Sequence, residues 1–453
     1  MEVITIIGGG LAGSEAAWQA ANRGVQVDLY EMRPQQQTGA HRTGNLGELI
    51  CSNSLGSNLS DRATGQLLYE LRQLGSLLIE IADQTAVPAG SALAVDREAF
   101  SHKITTALEK HPNIRIIREE KREIPDGVCV IASGPLTSAR LMDCISGMVG
   151  GDSLFFYDAI APIVSRESID MTVAFRASRY ERGVESEGDY INCPFTREEY
   201  ERFIAALTQA ERIQLREFEK DIADGVRAGS GFFFERCLPV EVLANREMMA
   251  MAYGPMRPVG LYNPHTGRRP YAVLQLRQDN LADSMYNMVG FQTNLTFSEQ
   301  KRVFQMVPGL GNAEFLRYGQ MHRNSFLCSP KFLTPAMNHR DHPQIFFAGQ
   351  LIGVEGYAGN IASGLLAGIN AARCVKNKKS IHLPEGTMLG AMIAYITRAD
   401  PAAFQPMKAN LGLLPQPGVA RKMSKKDRHA QTTQSARTEM DTFLESLGEE
   451  GGL

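Results

Sequence analysis

The first 31 residues carry the clearest pattern of apolar and polar positions in the chain. The β-branched run Val3–Ile7 is typical of a buried strand. A glycine-rich turn, an alanine-rich segment that predicts a helix to about Asn22, and a second predicted strand at residues 25–30 follow, and this strand ends on Glu31. This order of strand, glycine turn, helix, strand and acid is the context in which a G-x-G-x-x-G turn indicates a dinucleotide site.

Two later segments repeat the step from an apolar strand into a glycine turn. The first is residues 128–134, which end in Ala-Ser-Gly. The second is residues 345–349, which lead into a helix of small residues at about 358–374. Three such strands, far apart in sequence, indicate one doubly wound, Rossmann-like α/β domain that is interrupted by an insertion.

The length of the chain agrees with more than one domain. At 453 residues it is too long for a single small domain, and two domains are the natural expectation. We predict a nucleotide-binding domain formed by residues 1–150 and 326–453, and a smaller α+β insertion domain of residues 151–325. From about residue 420 the chain is basic and then polar, so this end is expected to form a tail.

Composition narrows the class of protein and its compartment. A net charge of −3 means that any contact with nucleic acid must come from local basic patches. Seven cysteines without a Cys-x-x-Cys pair indicate neither a disulfide framework nor a zinc site, and no metal is predicted. A reducing compartment is the simpler interpretation. The start lacks the pattern of a signal peptide and no apolar run is long enough for a membrane span, which predicts a soluble cytoplasmic protein.

The expected phosphate-binding turn consists of Gly8, Gly9, Gly10, Leu11, Ala12 and Gly13. Gly8 allows a sharp exit from the strand, Gly10 lets a pyrophosphate approach the backbone, and Gly13 allows the helix to pack closely on the sheet. The helix N-terminus then offers free N–H donors to the phosphates. Glu31 is placed to accept hydrogen bonds from ribose hydroxyls, and its charge would repel the 2′-phosphate of NADP.

A C-terminal segment favours FAD over NAD at this site. Residues 346–350 have the sequence Phe-Phe-Ala-Gly-Gln, and residues 353–357 have the sequence Gly-Val-Glu-Gly-Tyr. They resemble the second flavin motif of the glutathione-reductase-like flavoproteins, and the turn at residues 132–134 resembles the one that closes over the same cofactor. The cofactor contacts that this resemblance implies are Gly134, Gly349, Gln350, Gly353, Gly356 and Tyr357. Tyr357 is a candidate to stack on the isoalloxazine or on a pterin.

Two cysteines lie in segments that favour a reactive thiol. Cys51 belongs to the loop that follows the ribose-binding strand, which in this fold usually faces the flavin. Cys237 follows Arg236, and Pro239 with Glu241 predicts a helix that begins just after it. A guanidinium and a helix N-terminus both lower the pKa of a thiol, and the thiolate is the nucleophile. The other interpretation, an inert buried cysteine, stays open from these residues alone.

Five motifs together carry a more specific resemblance. They are the glycine turn with Ser14-Glu15-Ala16, Tyr30-Glu31-Met32-Arg33-Pro34, Leu49-Ile50-Cys51-Ser52-Asn53-Ser54, Glu235-Arg236-Cys237-Leu238-Pro239 and Gly353-Val354-Glu355-Gly356-Tyr357. Over residues 1 to about 400, this combination resembles the folate- and FAD-dependent tRNA (uracil-5-)-methyltransferases, the TrmFO family, which are short relatives of the GidA proteins.

The resemblance implies C5-methylation of the uridine at position 54 in the T-loop of tRNA. The carbon would come from 5,10-methylenetetrahydrofolate, and FAD reduced by NAD(P)H would supply the electrons. Cys237 matches the nucleophile proposed to add to C6 of uracil. Cys51 matches a second cysteine near the flavin, and its role stays open between base and protector.

Two stretches without acidic residues suit a tRNA backbone. They are residues 248–278 and 315–340, and tyrosines are interleaved with the basic residues of the first stretch. The predicted tRNA contacts are Arg257, Arg268, Arg269 and Arg277. The basic residues from Arg421 to His429 would add nonspecific attraction.

Three alternatives compete with this interpretation. One is a GidA-like enzyme that modifies the wobble uridine of tRNA with the same cofactors. Another is an FAD- and tRNA-binding protein with no transfer chemistry of its own. The third is a small-molecule flavin oxidoreductase, for which the acid-free stretches would have no purpose. No motif indicates an obligate protein partner.

Overall fold

The computed structural model describes residues 3–150, 154–181, 188–213, 238–415 and 423–449. The strands are β1 Val3–Ile7, β2 Gln26–Tyr30, β3 Ser54–Ser57, β4 Ala86–Val87, β5 Ala92–Val95, β6 Ile114–Ile117, β7 Cys129–Ile131, β8 Leu154–Ala159, β9 Ile163–Ser165, β10 Phe175–Arg176, β11 Tyr190–Phe195, β12 Ala272–Gln278, β13 Met285–Met288, β14 Phe315–Arg317, β15 Met321–Phe326 and β16 Ile345–Phe347. The α-helices are α1 Leu11–Asn22, α2 Ala63–Gln73, α3 Leu77–Gln84, α4 Arg97–Lys110, α5 Ala139–Val149, α6 Arg197–Gln209, α7 Val240–Ala244, α8 Ala250–Tyr253, α9 Phe297–Phe304, α10 Tyr357–Val375, α11 Met388–Arg398 and α12 Lys425–Glu449.

A five-stranded parallel sheet forms the centre of the larger core. Its order is β16-β7-β1-β2-β6, so the three strands that precede the predicted glycine turns lie side by side. The register aligns Ile7 with Tyr30 on one side and with Ile131 on the other, so these strands end at a common edge. The α/β class with a doubly wound parallel sheet, predicted from the sequence, is confirmed.

Helices α1 and α10 pack against each other because both are rich in small residues. A Cβ atom added at Gly364 would lie 2.2 Å from the carbonyl oxygen of Ala12, and one at Gly368 would lie 2.4 Å from that of Ala16. Such distances are far below van der Waals contact, so only glycine allows the two backbones to approach this closely. This packing fixes the start of α10 beside the start of α1.

The second core lies in a region of helices and an antiparallel sheet within the predicted insertion. Its sheet has six strands in the order β10-β11-β12-β13-β9-β14, and β8 pairs with β15 in a separate two-stranded ladder. Buried residues of the larger core lie within residues 4–145 and 326–447, whereas those of the second core lie within 164–313. The exact domain boundaries stay a prediction. The larger core lies within the segments expected for the nucleotide-binding domain, and the second core lies within the segment expected for the insertion.

The C-terminal region differs from the tail expected beyond about residue 420. Helix α12 buries Ala436 and Met440 against the larger core. The Arg437 guanidinium lies 4.5 Å from the centre of the Tyr69 ring, and Asp441 accepts a hydrogen bond of 2.8 Å from the hydroxyl of the same tyrosine. The apolar residues of this segment recur at helical spacing, which gives the helix a face to bury. Arg421 lies outside the described residues.

Some features are not found in the part of the chain that the structure describes. No helix there is both long enough and apolar enough to cross a bilayer. Nor do three or more His, Cys, Asp or Glu side chains come together there in a group that could hold a metal ion. Cys129, Cys144, Cys193 and Cys328, all within this part, are free thiols.

Candidate active site

A cavity of about 420 Å³ opens along the common edge of the parallel sheet. Its wall combines residues that follow all five strands of this sheet, including the turns after β1, β7 and β16. The crevice at the carboxyl ends of parallel strands is where doubly wound folds bind their ligands. We use the name cofactor cradle for the segments that form and support its nucleotide-binding part, which are residues 8–13, Glu31, residues 132–134 and residues 349–360.

The glycine turn has the geometry that a pyrophosphate site requires. Gly8 has a φ of +103°, a conformation that favours glycine, and a Cβ at Gly13 would lie 1.8 Å from the carbonyl oxygen of Gly8. Gly10 lines the cavity, and a Cβ there would meet no protein atom within 4 Å. Leu11 and Ala12 also line the cavity at the first turn of α1, where N–H groups precede the first helical hydrogen bonds. These groups can bind a phosphate.

Glu31 lies in the cavity wall as an ionised, oriented carboxylate. Its Oε2 accepts from the N–H of Gly9 at 2.9 Å, and its Oε1 accepts from Nε of Arg33 at 2.8 Å. Burial raises the pKa of Glu31, but the hydrogen bonds and charge of Arg33 outweigh burial and hold that pKa below its ordinary value. Arg33 also donates to Glu48 at 2.8 Å and is itself 1% exposed. This residue was not predicted to support the site, although it lies within a quoted motif.

The opposite wall comes from the later turns. Gly134, Gly349, Gln350, Gly356 and Tyr357 line the cavity, and α10 begins there. Gly353 does not line it, because it packs on Phe404, where an added Cβ would meet the ring at 2.5 Å. Gly9 and Gly13 likewise lie behind the wall and shape it. These three residues therefore support the site without facing the cavity.

Two buried polar atoms in the cavity wall have no hydrogen-bond partner among the described residues. They are Oδ1 of Asn324 and Oδ1 of Asn360. Buried polar atoms are nearly always satisfied in folded proteins, so an unsatisfied set around one cavity indicates a polar ligand. With the glycine turn at one end and the start of α10 at the other, the residues fit FAD.

Cys51 lies in the cavity wall and is half-buried. The hydroxyl oxygen of Tyr357 accepts from the backbone N–H of Cys51 at 2.9 Å and from that of Ser52 at 3.2 Å. Tyr357 is therefore anchored by hydrogen bonds in the wall, and burial raises the pKa of its hydroxyl, so the group stays neutral. The proposed stacking role of its ring stays a prediction.

Cys237 lies outside the described residues, but the segment that follows it is described. Helix α7 begins at Val240 after Pro239, as the sequence predicts. The N–H of Val240 donates to the carbonyl of Gln292 at 2.8 Å, and Gln292 lines the cavity. Glu241, which is fully buried, accepts from the N–H of Asn294 at 2.7 Å. The start of α7 is thus tied to the loop that contributes to the cavity wall.

The predicted tRNA contacts separate into two groups. One group is exposed in the region of the second core. We call it the basic face, and it consists of Arg257, Arg268, Arg269, Tyr253 and Tyr262. Arg277 does not belong to it, which corrects the sequence prediction. It is 8% exposed, and its guanidinium donates to Oδ1 of Asn53 and to Oγ of Ser52, both at 2.9 Å. Its strand, β12, is paired on both sides and fully buried along its length.

Comparison with known proteins agrees with these features. A model of the family "Glucose inhibited division protein A" (GidA) matches residues 3–379. Two relatives are named methylenetetrahydrofolate–tRNA-(uracil-5-)-methyltransferase TrmFO. The Brevibacillus brevis protein is 54% identical and the Enterococcus faecalis protein is 55% identical, each over 91% of this chain and 92% of the relative.

Among solved structures, GidA of Aquifex aeolicus superposes with a TM-score of 0.66 at 16% identity, covering 99% of this chain and 76% of that one. At this identity the likeness shows a shared fold. The family expected from the five motifs is confirmed by the sequence relatives. The chain therefore belongs to the GidA family, and within it to the TrmFO methylenetetrahydrofolate–tRNA-(uracil-5-)-methyltransferases.

Proposed function

We propose that this chain methylates C5 of the T-loop uridine of tRNA, at position 54, with the methylene carbon of 5,10-methylenetetrahydrofolate. The observation that carries the proposal is the single cavity whose wall holds the glycine turn, Glu31, the start of α10 and Cys51. When bound, FAD reduced by NAD(P)H supplies the two electrons that convert the transferred methylene into a methyl group. With tRNA and folate as substrates, we expect the enzyme to act in the cytoplasm.

The chain's own residues divide the binding of FAD between them. The N–H groups at the start of α1 bind the pyrophosphate, and the ionised Glu31 accepts from the ribose hydroxyls. The start of α10 places its partial positive charge at the flavin end of the cavity. Tyr357 keeps the backbone of Cys51 at the wall.

Cys237 is proposed as the nucleophile because C5 of uracil is otherwise unreactive. Its thiolate adds to C6, an S–C6 bond forms, and the displaced electrons make C5 an enolate carbon that attacks the folate-derived methylene. Loss of the C5 proton to a base then breaks the bond between the methylene and the folate nitrogen, and tetrahydrofolate leaves. Once this methylene is reduced to a methyl group, the S–C6 bond breaks and the thiolate leaves. The assignment rests on the motif, and the described segment that follows it is held by the hydrogen bond from Val240 to Gln292, a residue of the cavity wall.

The basic face is proposed to hold the tRNA backbone. Arg257, Arg268 and Arg269 are exposed, and Tyr253 and Tyr262 are 77% and 72% exposed, which is unusual for aromatic side chains. Exposed guanidinium groups contact phosphates, while exposed tyrosines stack on unpaired bases. A uridine inside a folded T-loop must also be turned out before it can enter a cavity.

The test is transfer of an isotopic label from methylenetetrahydrofolate to an unmodified tRNA in the presence of NADPH, followed by nuclease mapping. We expect 5-methyluridine in the T-loop fragment. Label in the anticodon fragment would favour wobble modification, and the absence of label from all fragments would contradict the proposal.

The Cys237→Ala variant tests the assigned nucleophile in the same assay. It should lower the rate of methylation by about a thousandfold or more. The matched control is Cys144→Ala, which removes an exposed thiol on α5 and should leave the rate unchanged. Methylation by the Cys237→Ala variant at the normal rate would remove this residue from the mechanism.

A further inference from the structure

The loop that carries Cys51 is held by three arginines from separate parts of the chain. Arg97 donates from Nη1 to the carbonyl of Leu49 at 2.9 Å, and Arg317 donates from Nη2 to the carbonyl of Ile50, also at 2.9 Å. Arg277 donates hydrogen bonds to the side chains of Ser52 and Asn53, which follow Cys51 in the loop. Three guanidinium groups therefore hold four of the five residues 49–53.

The arginines come from different parts of the fold. Arg97 is the first residue of α4, which packs with the parallel sheet, whereas Arg277 and Arg317 lie on β12 and β14 of the insertion sheet. Asp279, at the end of β12, accepts from Nε of Arg97 at 2.9 Å and joins the two sides. We call Arg97, Arg277, Arg317 and Asp279 the arginine clasp. Because of it, the position of the Cys51 loop depends on how the insertion sheet is docked.

The clasp contains more positive than negative charge, although its members are mostly buried. Burial and the charges of Arg97 and Arg42 lower the pKa of Arg317 to about 10, so this guanidinium is still cationic at neutral pH. Among the residues that the structure describes, none forms a hydrogen bond with the buried Nη2 of Arg97. Burying three positively charged guanidinium groups close together is unfavourable by itself. Packing alone does not require these arginines, since apolar side chains could fill the same space.

We infer that Arg277 and Arg317 are positioning residues for Cys51: they hold its loop so that the thiol faces the flavin end of the cavity. This inference deepens the proposed function and rests on it for the use of the thiol. It links the two proposed surfaces, because the segment that leads into β12 carries the basic face while β12 itself holds the loop of a cavity thiol. Displacement of the sheet would move Cys51 relative to the cofactor.

The test is alkylation of the full-length protein with iodoacetamide, with FAD bound and after FAD removal, in the absence of tRNA and folate. Peptide mass spectrometry gives the rate at Cys51, normalised to the exposed Cys144. In the unaltered protein we expect FAD to slow alkylation of Cys51 by about tenfold. In Arg277→Gln and Arg317→Gln this protection should fall to about twofold while flavin absorbance shows that FAD is still bound.

Arg302→Gln is the matched control, since it removes an exposed guanidinium on α9 that pairs only with Glu299 among the described residues. It should keep the full protection. If a Gln variant does not fold, Arg277→Lys retains the buried charge but cannot donate to Asn53 and Ser52 in the same planar geometry, and should also lose protection.

Unchanged protection in the folded Arg277 and Arg317 variants, or no protection in the unaltered protein, would overturn the inference. Failure of the tRNA labelling test would instead overturn the proposed function, because the alkylation test uses neither substrate.

Discussion

The cofactor cradle and the basic face both suit phosphate groups, but they are built in opposite ways. The cradle offers backbone N–H groups and the buried, oriented carboxylate of Glu31, whereas the basic face offers exposed guanidinium and phenol groups. In the cradle a single added carbon atom collides with backbone, as at Gly13. On the basic face a whole side chain can be removed without disturbing any neighbour in the core. The two regions should therefore respond very differently to substitution.

The largest effect is expected inside the cradle, from two glycines three residues apart. Gly13→Ala places a carbon 1.8 Å from the carbonyl oxygen of Gly8, so we expect a loss of about 3 kcal/mol in unfolding free energy together with loss of FAD. Gly10→Ala meets no protein atom and should preserve stability, but it should weaken FAD binding about tenfold, since Gly10 faces the cavity. Urea unfolding and FAD titration measure both. Equal stability of the two variants would contradict the assigned roles.

A smaller effect is expected at the acid of the cradle. Glu31→Gln removes the charge that accepts from Gly9 and Arg33 and would accept from ribose, so FAD affinity should fall by about 2 kcal/mol. Titration with FAD measures this change, and Glu299→Gln is the control, because this half-buried acid on α9 does not line the cavity. If Glu31→Gln binds FAD as tightly as the unaltered protein, the carboxylate does not contact the ribose.

The basic face should give a weaker and salt-dependent response. Replacing Arg268 and Arg269 together by Gln should raise KM for tRNA about tenfold at low salt, with FAD binding unchanged, because these side chains face solvent. The difference should shrink as salt is added. Arg115→Gln, which removes an exposed guanidinium paired with Asp28 on the parallel sheet, serves as the control. A KM that does not change in the double variant would place the tRNA elsewhere.

The smallest expected effect is a change of stability with pH, and it has opposite signs for two buried acids, Glu70 and Glu31. Glu70 accepts from the N–H groups of Met388 and Leu389 at the start of α11, and burial raises its pKa from 4.5 to about 7. A raised folded-state pKa means that stability is fully present below pH 4.5 and is lost as the pH rises toward 7.

Relative to Glu70→Gln, the unaltered protein should therefore lose about 1 kcal/mol between pH 5 and 6. Urea unfolding at several pH values measures this difference. Glu31, whose pKa is lowered, should act in the opposite direction and lose its contribution in acid. A difference between the two proteins that does not vary with pH would contradict the assignment for Glu70.

The same contrast explains what could be predicted from the sequence. The cradle was predictable because its glycines are required by local backbone geometry, as at Gly8 with its positive φ, and because Glu31 stands at a fixed place after a strand. Side-chain exposure was not predictable: Arg277 and Arg269 lie in one acid-free stretch, yet only Arg269 is exposed. Burial of Arg277 depends on the position of β12 within its sheet, which no local pattern specifies.

Long-range pairs were also beyond the sequence. Tyr357 and Cys51 are 306 residues apart, and their hydrogen bond exists only because the loop after β2 meets the start of α10. Helix α12 was missed for a related reason. Its polar residues predict a tail, and the few apolar residues matter only once α2 offers them a surface.

The most direct test of the central claim is a crystal structure of the protein with FAD bound. We expect the pyrophosphate at the N–H groups of Leu11 and Ala12, the ribose at Glu31, and the isoalloxazine beside Cys51 and the start of α10. Density for FAD outside this cavity, or an isoalloxazine directed away from Cys51, would contradict the account.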